Sequence, residues 1–377
     1  MGLFSKKESY LGIDIGAHGI KLVELHKTKG RPQLWTYGMT NEPLDIHFDE
    51  TSEKTVEELI GENRIETIKG KEEKEMPVQK DDPRIEKYAK ILKALLKESR
   101  VTTNQATASL PVSYIFHAVV TLPIVADKEL DHIITAEIRK MLPRPIEEMQ
   151  IVHQKIPKSV EDKDKKYNHY LVTAAPKELV RFYTAIFQRA GLELQELETE
   201  AFAVERSLVG HDKATVMVVD IGAERTNFFI IDQSLPLTHR SINIGGRSFD
   251  KVIKKSLGVD DNLVGQIKKD LSRSKEVLDA EIFLSTLDPI IKEIEYSFEL
   301  FLSQMGNQSK RPEKIILTGG SSVLPFIKDE LGKKFNMKIF VGDPWARIVH
   351  QEGLKMVLDN IGPRMAVSIG LALRNIV

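Results

Sequence analysis

A short apolar strand ending in Asp-Ile-Gly is written twice in this chain. LGIDIGAHGIKLVEL runs from Leu11 to Leu25, and VMVVDIGAERTNFFIID from Val216 to Asp232. In the first, Tyr10 to Ile15 reads as a strand, a glycine-bearing turn follows, and Ile20 to Leu25 returns as a second strand. In the second, Val216 to Val219 and Asn227 to Ile231 flank a turn at Asp220 to Thr226. Two hairpins of one grammar point to a fold of two similar halves.

A strand that delivers Asp and then Gly at its tip sets one carboxylate and several backbone N–H groups beside a cavity. The glycine lets the backbone approach a phosphate, and the oriented N–H groups form an anion nest. The carboxylate repels phosphate, so a divalent cation or its bound water must lie between them, and Mg²⁺ suits this because it takes few protein ligands and keeps its waters. A single Asp-x-Gly carries no information. Two on matched hairpins make a clamp that grips the β- and γ-phosphates of a nucleotide from both sides. A third glycine turn, LTGGSS (Leu317 to Ser322), follows a strand and opens a helix, where close backbone approach accommodates the adenosine end. Neither a Gly-x-x-x-x-Gly-Lys-Ser/Thr nor a Gly-x-Gly-x-x-Gly motif occurs.

The 377 residues are enough for roughly two to three domains at ~150 residues each. With 54 Lys and Arg against 55 Asp and Glu, no net field draws a polyanion, so nucleic acid is not an expected partner. Cysteine is absent, which excludes disulfides, thiolate catalysis and Cys-based zinc sites and fits a reducing cytoplasm. After MGLFSKKES no apolar stretch of signal-peptide length follows, because Gly12, Asp14, Gly16 and His18 interrupt it. No apolar window spans a membrane, so any membrane role is expected to run through a partner.

Between Asp49 and Pro83 the chain is rich in Glu, Lys and Asp without a persistent period, which reads as an exposed, mobile insertion. Ile85, Tyr88, Ile91, Leu92 and Leu95 then share one helical face. From Ser113 a compact unit follows: strand Ile115 to Leu122, helix Asp127 to Leu142, strand Met149 to Ile156, a charged loop, strand His169 to Ala174 and helix Lys177 to Ala190. The stripe Leu130, Ile133, Ile134, Ile138, Met141 and Leu142 reads as core. After the second hairpin come INIGGRSFD, a helical stretch to about Phe301, the strand KIILTGG, a helix from Val323 to Phe335, and the small-residue helix RMAVSIGLALRNIV.

The chain resembles the actin, sugar kinase and chaperone ATPase superfamily, and within it FtsA and especially the PilM proteins of type IV pilus assembly. The first hairpin matches the phosphate-1 motif, the second phosphate-2, ELETEAFAVERSL the first connecting helix, LTGGSSVLPFI the adenosine motif and MAVSIGLALR the second connecting helix. ASLPVSYIFHAVVTLP, EIRKMLPRPIEEMQIVHQKI and VTAAPKELVRFYTAIFQRAGLELQELETEA carry the more particular likeness. The resemblance implies an α/β fold, the actin-like two-lobed ATPase fold of duplicated ribonuclease-H-like domains with an FtsA-type insertion (SHS2, or 1C). It implies subdomain 1A at 9–112, 190–212 and 358–377, 1C at 113–189, 2A at 213–247 and 302–357, and 2B at 248–301.

On the same resemblance ATP and Mg²⁺ are the cofactors, with Asp14 and Asp220 holding the metal through water. Gly16, Ala17, His18, Lys21, Gly222 and Thr226 belong to the phosphate loops; Gly245 and Gly246 precede the smaller subdomain; Gln266 and Lys268 face adenine; Gly319, Gly320 and Ser321 flank the nucleoside. Asp250 lies where the smaller lobe branches off. Ala17 and His18 stand where relatives carry Ser or Thr, and Ala223, Glu224 and Arg225 replace small residues, so binding is expected with slow hydrolysis at most. The water-positioning acid falls at Glu198, or by a small shift at Glu200, both read as a helix start whose dipole favours acids. The implied partners are the cytoplasmic N-terminal tail of PilN, other platform and motor proteins of the pilus at the inner membrane, and a second copy of the chain. Two rival readings are an FtsA-like filament anchor, which lacks its amphipathic membrane helix after ALRNIV, and a sugar or acetate kinase, for which the Ser113 unit is the wrong insertion.

Overall fold

The computed structural model describes residues 8–46, 82–157, 166–273, 280–304, 307–308 and 310–376. The expected mobile insertion lies, as far as residue 81, outside the described residues. Two five-stranded sheets of one plan dominate. The first has the order β3-β2-β1-β4-β8, with β1 Ser9–Gly16, β2 Gly19–His26, β3 Gln33–Met39, β4 Gln105–Leu110 and β8 Glu193–Thr199. The second has the order β11-β10-β9-β12-β13, with β9 Val216–Ile221, β10 Thr226–Asp232, β11 Leu235–Ile242, β12 Lys314–Thr318 and β13 Lys338–Val341. In each, an antiparallel three-stranded meander is extended by two parallel strands on the far side of its first strand. Asp14 and Asp220 thus hold the same place on the two central strands.

Period-two alternation decides what each face buries. Leu11, Ile13 and Ile15 of β1 join Ile20 and Leu22 of β2 in one core, completed by α1 (Pro83–Glu98) and α3 (Lys177–Ala190). Helix α1 begins where Asp82 accepts from the Arg84 N–H at 2.9 Å and Pro83 occupies its first turn, a standard start signal. The opposite face of the first sheet, with Val23 and Leu25, packs on Trp345, Ile348 and α9 (Lys355–Leu373). Contact with α9 is close enough that a Cβ on Gly12 would collide with the Ser368 carbonyl and the Ala372 N–H. The second sheet packs α5 (Gly246–Leu257), α6 (Asp261–Arg273), α7 (Leu284–Ser303) and α8 (Pro325–Lys334) around Met217, Val219 and Ile221, with Phe283 and Phe326 stacked 4.2 Å apart.

A third, antiparallel sheet of order β5-β7-β6 interrupts the first lobe: β5 Phe116–Pro123, β6 Met149–Lys155 and β7 Tyr167–Pro176, with α2 (Asp127–Arg139) on one face. Ile134 and Ile138 fill its small core, whereas Val119 and Ile156 rest on the core of the second lobe. The helix expected to reach Leu142 ends at Arg139, because Pro143 follows and cannot continue it, and Met141 is left 53% exposed instead of buried. The expected first connecting helix is likewise short. Glu193 to Thr199 are strand, α4 is only Glu200–Val204, and a π-helical turn, Glu205–Val209, completes it.

Candidate functional site

The two hairpin tips face one cavity of about 910 Å³, lined by Asp14, Gly16, Ala17, His18 and Lys21 from the first lobe and by Asp220, Gly222, Gly246, Lys268, Gly319, Gly320 and Ser321 from the second. Asp14 pairs in register with Lys21, whose Nζ lies 2.9 Å from the carboxylate. Among the described residues Asp220 forms no such ion pair. Its neighbour is the end of β12, where Gly319 takes φ +86° and a Cβ would collide with the Asp220 carboxylate. Glycine is required there on both counts.

The cavity lining carries both acids and bases. Burial first, and then Asp14 and Asp220, push Glu200 up to about 8. Burial and then Asp14 raise Asp220 to about 7, against the pull of Lys21. Partial burial and then Arg364, Lys21, Arg247 and Lys268 hold His18 below its ordinary value. Cations from four separate segments therefore converge on the tip of the first turn, which is the arrangement a polyphosphate needs. Among the described residues no group of three His, Cys, Asp or Glu side chains can hold a metal directly. Two carboxylates from opposite loops suit a cation that keeps most of its own waters, and Mg²⁺ is such a cation. It would bring positive charge to the acids and to phosphate oxygens.

Several expected site residues sit elsewhere. Glu198 is on β8, not at a helix start, and ion pairs with Arg206 and Arg374 hold it outside the cavity wall. Glu200 is the acid that lines the cavity; its Oε2 accepts from the Val112 N–H and from Asn227 Nδ2, both at 3.2 Å. The buried Thr226 hydroxyl donates to the Ile244 carbonyl at 2.7 Å, so it ties the hairpin to the entrance of α5. Gly245 caps that helix just outside the wall. Gln266 turns to solvent and donates to Asp270, while Asp261, Val264, Gly265 and Lys268 make the cavity-facing stripe of α6. Lys268 pairs with Asp250 at 2.8 Å and donates to the Gly246 carbonyl.

The sequence reading also missed cavity residues. Arg364 of α9 donates to Asn41 at 2.7 Å, joining segments 323 residues apart, and no local pattern announces either. Arg247, beside the glycines of GGRSFD, pairs with Glu224 at the start of α5 and also lines the cavity.

Two lobes of one strand plan closing on a shared cavity define the actin-like class of ATPase folds. The family model described as type IV pilus assembly protein PilM matches residues 65–376, and the chain belongs to that family. A solved PilM-PilN type IV pilus biogenesis complex is similar with a TM-score of 0.75 and 24% identity, covering 98% of this chain and 98% of that one. The ethanolamine utilization protein EutJ from Carboxydothermus hydrogenoformans is similar with a TM-score of 0.50 and 17% identity, covering 97% of this chain and 89% of that one.

Proposed function

We propose that the cavity binds ATP with Mg²⁺, and that the chain serves pilus assembly as a nucleotide-dependent adaptor that takes the cytoplasmic N-terminal tail of PilN. One observation carries the nucleotide half: Asp14 and Asp220, equivalent positions of two equivalent sheets, open into one cavity that Lys21, Arg247, Lys268 and Arg364 also line. In this reading Asp14 and Asp220 hold hydrated Mg²⁺ and Lys21 reaches a phosphate. Gly16 and Gly222 give the phosphates backbone room, and Gly319, Gly320 and Ser321 flank the nucleoside. Glu200 takes over from Glu198 the role of positioning water. Raised to about 8, it is largely protonated at neutral pH and acts as a base only when a nearby cation favours its carboxylate, in line with slow turnover.

The partner half rests on family membership and on the complex named in the matched structure. The groove between the β5-β7-β6 module and the first lobe is the place we assign to the tail. An extended tail pays an ordering cost, so a micromolar constant, about −8 kcal/mol, is expected. No helix among the described residues is long and apolar enough to cross a membrane, so attachment to the inner membrane goes through partners in this reading. Calorimetry of ATP with and without Mg²⁺, followed by titration of a fluorescent PilN-tail peptide into the full chain, tests both halves. Equal ATP affinity without the metal rules out the clamp; no peptide binding rules out the adaptor.

A further inference from the structure

The inserted module carries an open sheet edge. In its order β5-β7-β6, β5 meets the second lobe, where the Ile115 carbonyl just before it lies 3.1 Å from His239 Nε2 of β11, and β6 is left on the outside. The phase of the ladder fixes which backbone groups of β6 are already bonded. Met149 through Lys155 pair in unbroken register with Pro176 through Tyr170, and the next residue, Ile156, donates its N–H to the His169 carbonyl at 2.8 Å. Antiparallel bonding repeats at every second residue, so Gln150, Val152 and Gln154 turn their backbone groups to β7, and Ile151, His153 and Lys155 turn theirs outward. Among the described residues no strand lies beyond β6. Edges are normally protected by a bulge, a proline or a charge in mid-strand. Here the register has no shift, MQIVHQK has no proline, and its one formal charge is the terminal Lys155. Ile151 turns to the core under α2, whereas Gln150, Val152 and Gln154 share the opposite face, and Val152 is 57% exposed.

We infer that two copies of the chain join antiparallel along β6, about a two-fold axis through Val152. The inference is independent of the nucleotide reading. The strand itself favours a second copy over a foreign one, because Q-I-V-H-Q (Gln150 to Gln154) reads nearly alike in both directions. In that register Val152 faces Val152 of the second copy, Gln150 faces Gln154, Ile151 faces His153, and Met149 faces Lys155. Every outward-turned residue thus meets another, and a slip of one residue would set outward groups against groups already bonded to β7. Val152 falls at a non-hydrogen-bonded position, where facing side chains approach most closely. Charge fits as well. Glu148 precedes the strand and Lys155 ends it, so the basic end of one copy lies beside the acidic end of the other, and no like charges are opposed within the strand. The contact uses the same edge on both copies, so it closes a dimer and does not propagate a filament. With one short strand from each copy it is small and weak.

The chain has no cysteine, so single cysteines report the register directly. Full-length Val152→Cys, Gln150→Cys and Gln154→Cys are oxidised under mild conditions and run on non-reducing gels, each alone and the last two mixed. Val152→Cys should cross-link to itself, and the mixture of the other two should cross-link as readily. Gln150→Cys or Gln154→Cys alone should react about tenfold more slowly or not at all, since their Cα atoms lie beyond disulfide reach in this register. Sedimentation velocity of wild type at rising concentration should show a monomer–dimer equilibrium. Val152→Lys, which sets two like charges face to face, should weaken it about tenfold. Unchanged melting temperatures report that the variants are folded; if Val152→Lys melts early, the cysteine series decides. Wild type that stays monomeric at every concentration overturns the inference and leaves the edge to a strand of another protein. Equal cross-linking of all three single variants marks random collision and overturns it as well.

Discussion

The first Asp-Ile-Gly hairpin closes in two residues, Ala17 and His18, whereas the second needs four, Gly222 to Arg225. The short turn is tied within its own lobe: Lys21 folds back on Asp14, and the Ala17 carbonyl accepts from the Leu44 N–H at 3.1 Å. The long one is wired outward. Its Gly222 and Ala223 carbonyls accept from the Gly246 and Arg247 N–H groups at the start of α5, Ile221 accepts from Ser321, and Arg225 reaches Tyr114 in the module. One strand plan has thus been given two jobs. The first hairpin is built to grip, and the second to pass on what it feels.

The sharpest way to break this comparison is to exchange residues between equivalent strand positions. Gly12 of β1 stands where β9 carries Val218, and Val218 packs comfortably against Val367 and Leu371. Gly12→Val should cost about 3 kcal/mol or more, because its side chain meets the backbone of α9 rather than side chains that can give way. Urea unfolding checks this; a variant as stable as wild type would show that the lobes are interchangeable where we find them distinct.

The second effect concerns the contact between module and second lobe. His117 and His239 lie 4.7 Å apart by ring centroids. Burial first, and then its neighbour, pushes His117 down to about 3; burial likewise brings His239 to about 4. Both are neutral in the fold, while an unfolded histidine protonates near 6.5, so this stability is present above pH 6.5 and is lost as pH falls toward 4. Between pH 7.5 and pH 5 the loss should be about 2 kcal/mol per histidine. His117→Leu should lose correspondingly less than wild type over that range in unfolding titrations; an equal loss would sink the assignment.

Next come the two carboxylates. Asp14→Ala and Asp220→Ala should each weaken Mg²⁺·ATP binding by more than tenfold, about 1.4 kcal/mol, whereas Gln266→Ala should stay within twofold. An effect confined to one carboxylate would make the clamp one-sided. Smallest in absolute rate is the acid substitution. Glu200→Gln should abolish what slow ATP turnover there is and leave the melting temperature nearly unchanged. Glu198→Gln should lower the melting temperature by breaking the pairs with Arg206 and Arg374 while nucleotide binding persists. A phosphate-release assay and a thermal melt distinguish the two acids.

The duplicated hairpins and the glycine turn at Gly319 were legible in the sequence, because strand alternation and glycine chemistry are local, whereas the actin-like class came from the resemblance of the five motifs to that superfamily. Glu198 and Glu200 were not separable, because the acidic run ELETE reads equally well as the end of a strand or the start of a helix, and only pairing with β4 settles which residue turns into the cavity. Thr226 looked like a phosphate ligand because hydroxyls are common in such loops, yet a buried hydroxyl takes the nearest carbonyl. Asn41 and Arg364 carried no signal, since their neighbourhood exists only after the last helix has packed on the first sheet.

The way α9 underlies the first sheet has a consequence for how the chain is made. Gly12 waits for Ser368 and Ala372, and Val23 and Leu25 wait for Trp345 and Leu358. At about 5–20 residues per second, a ribosome that has made the first hairpin needs roughly 20–70 s more to deliver the helix that covers it. Throughout that interval one apolar face of the earliest sheet stands open. The first lobe cannot mature vectorially, and because Val218 of the second sheet packs on Val367 and Leu371 of the same helix, a nascent chain arrested before residue 355 should be protease-sensitive in the strands of both sheets and gain resistance in both once α9 emerges.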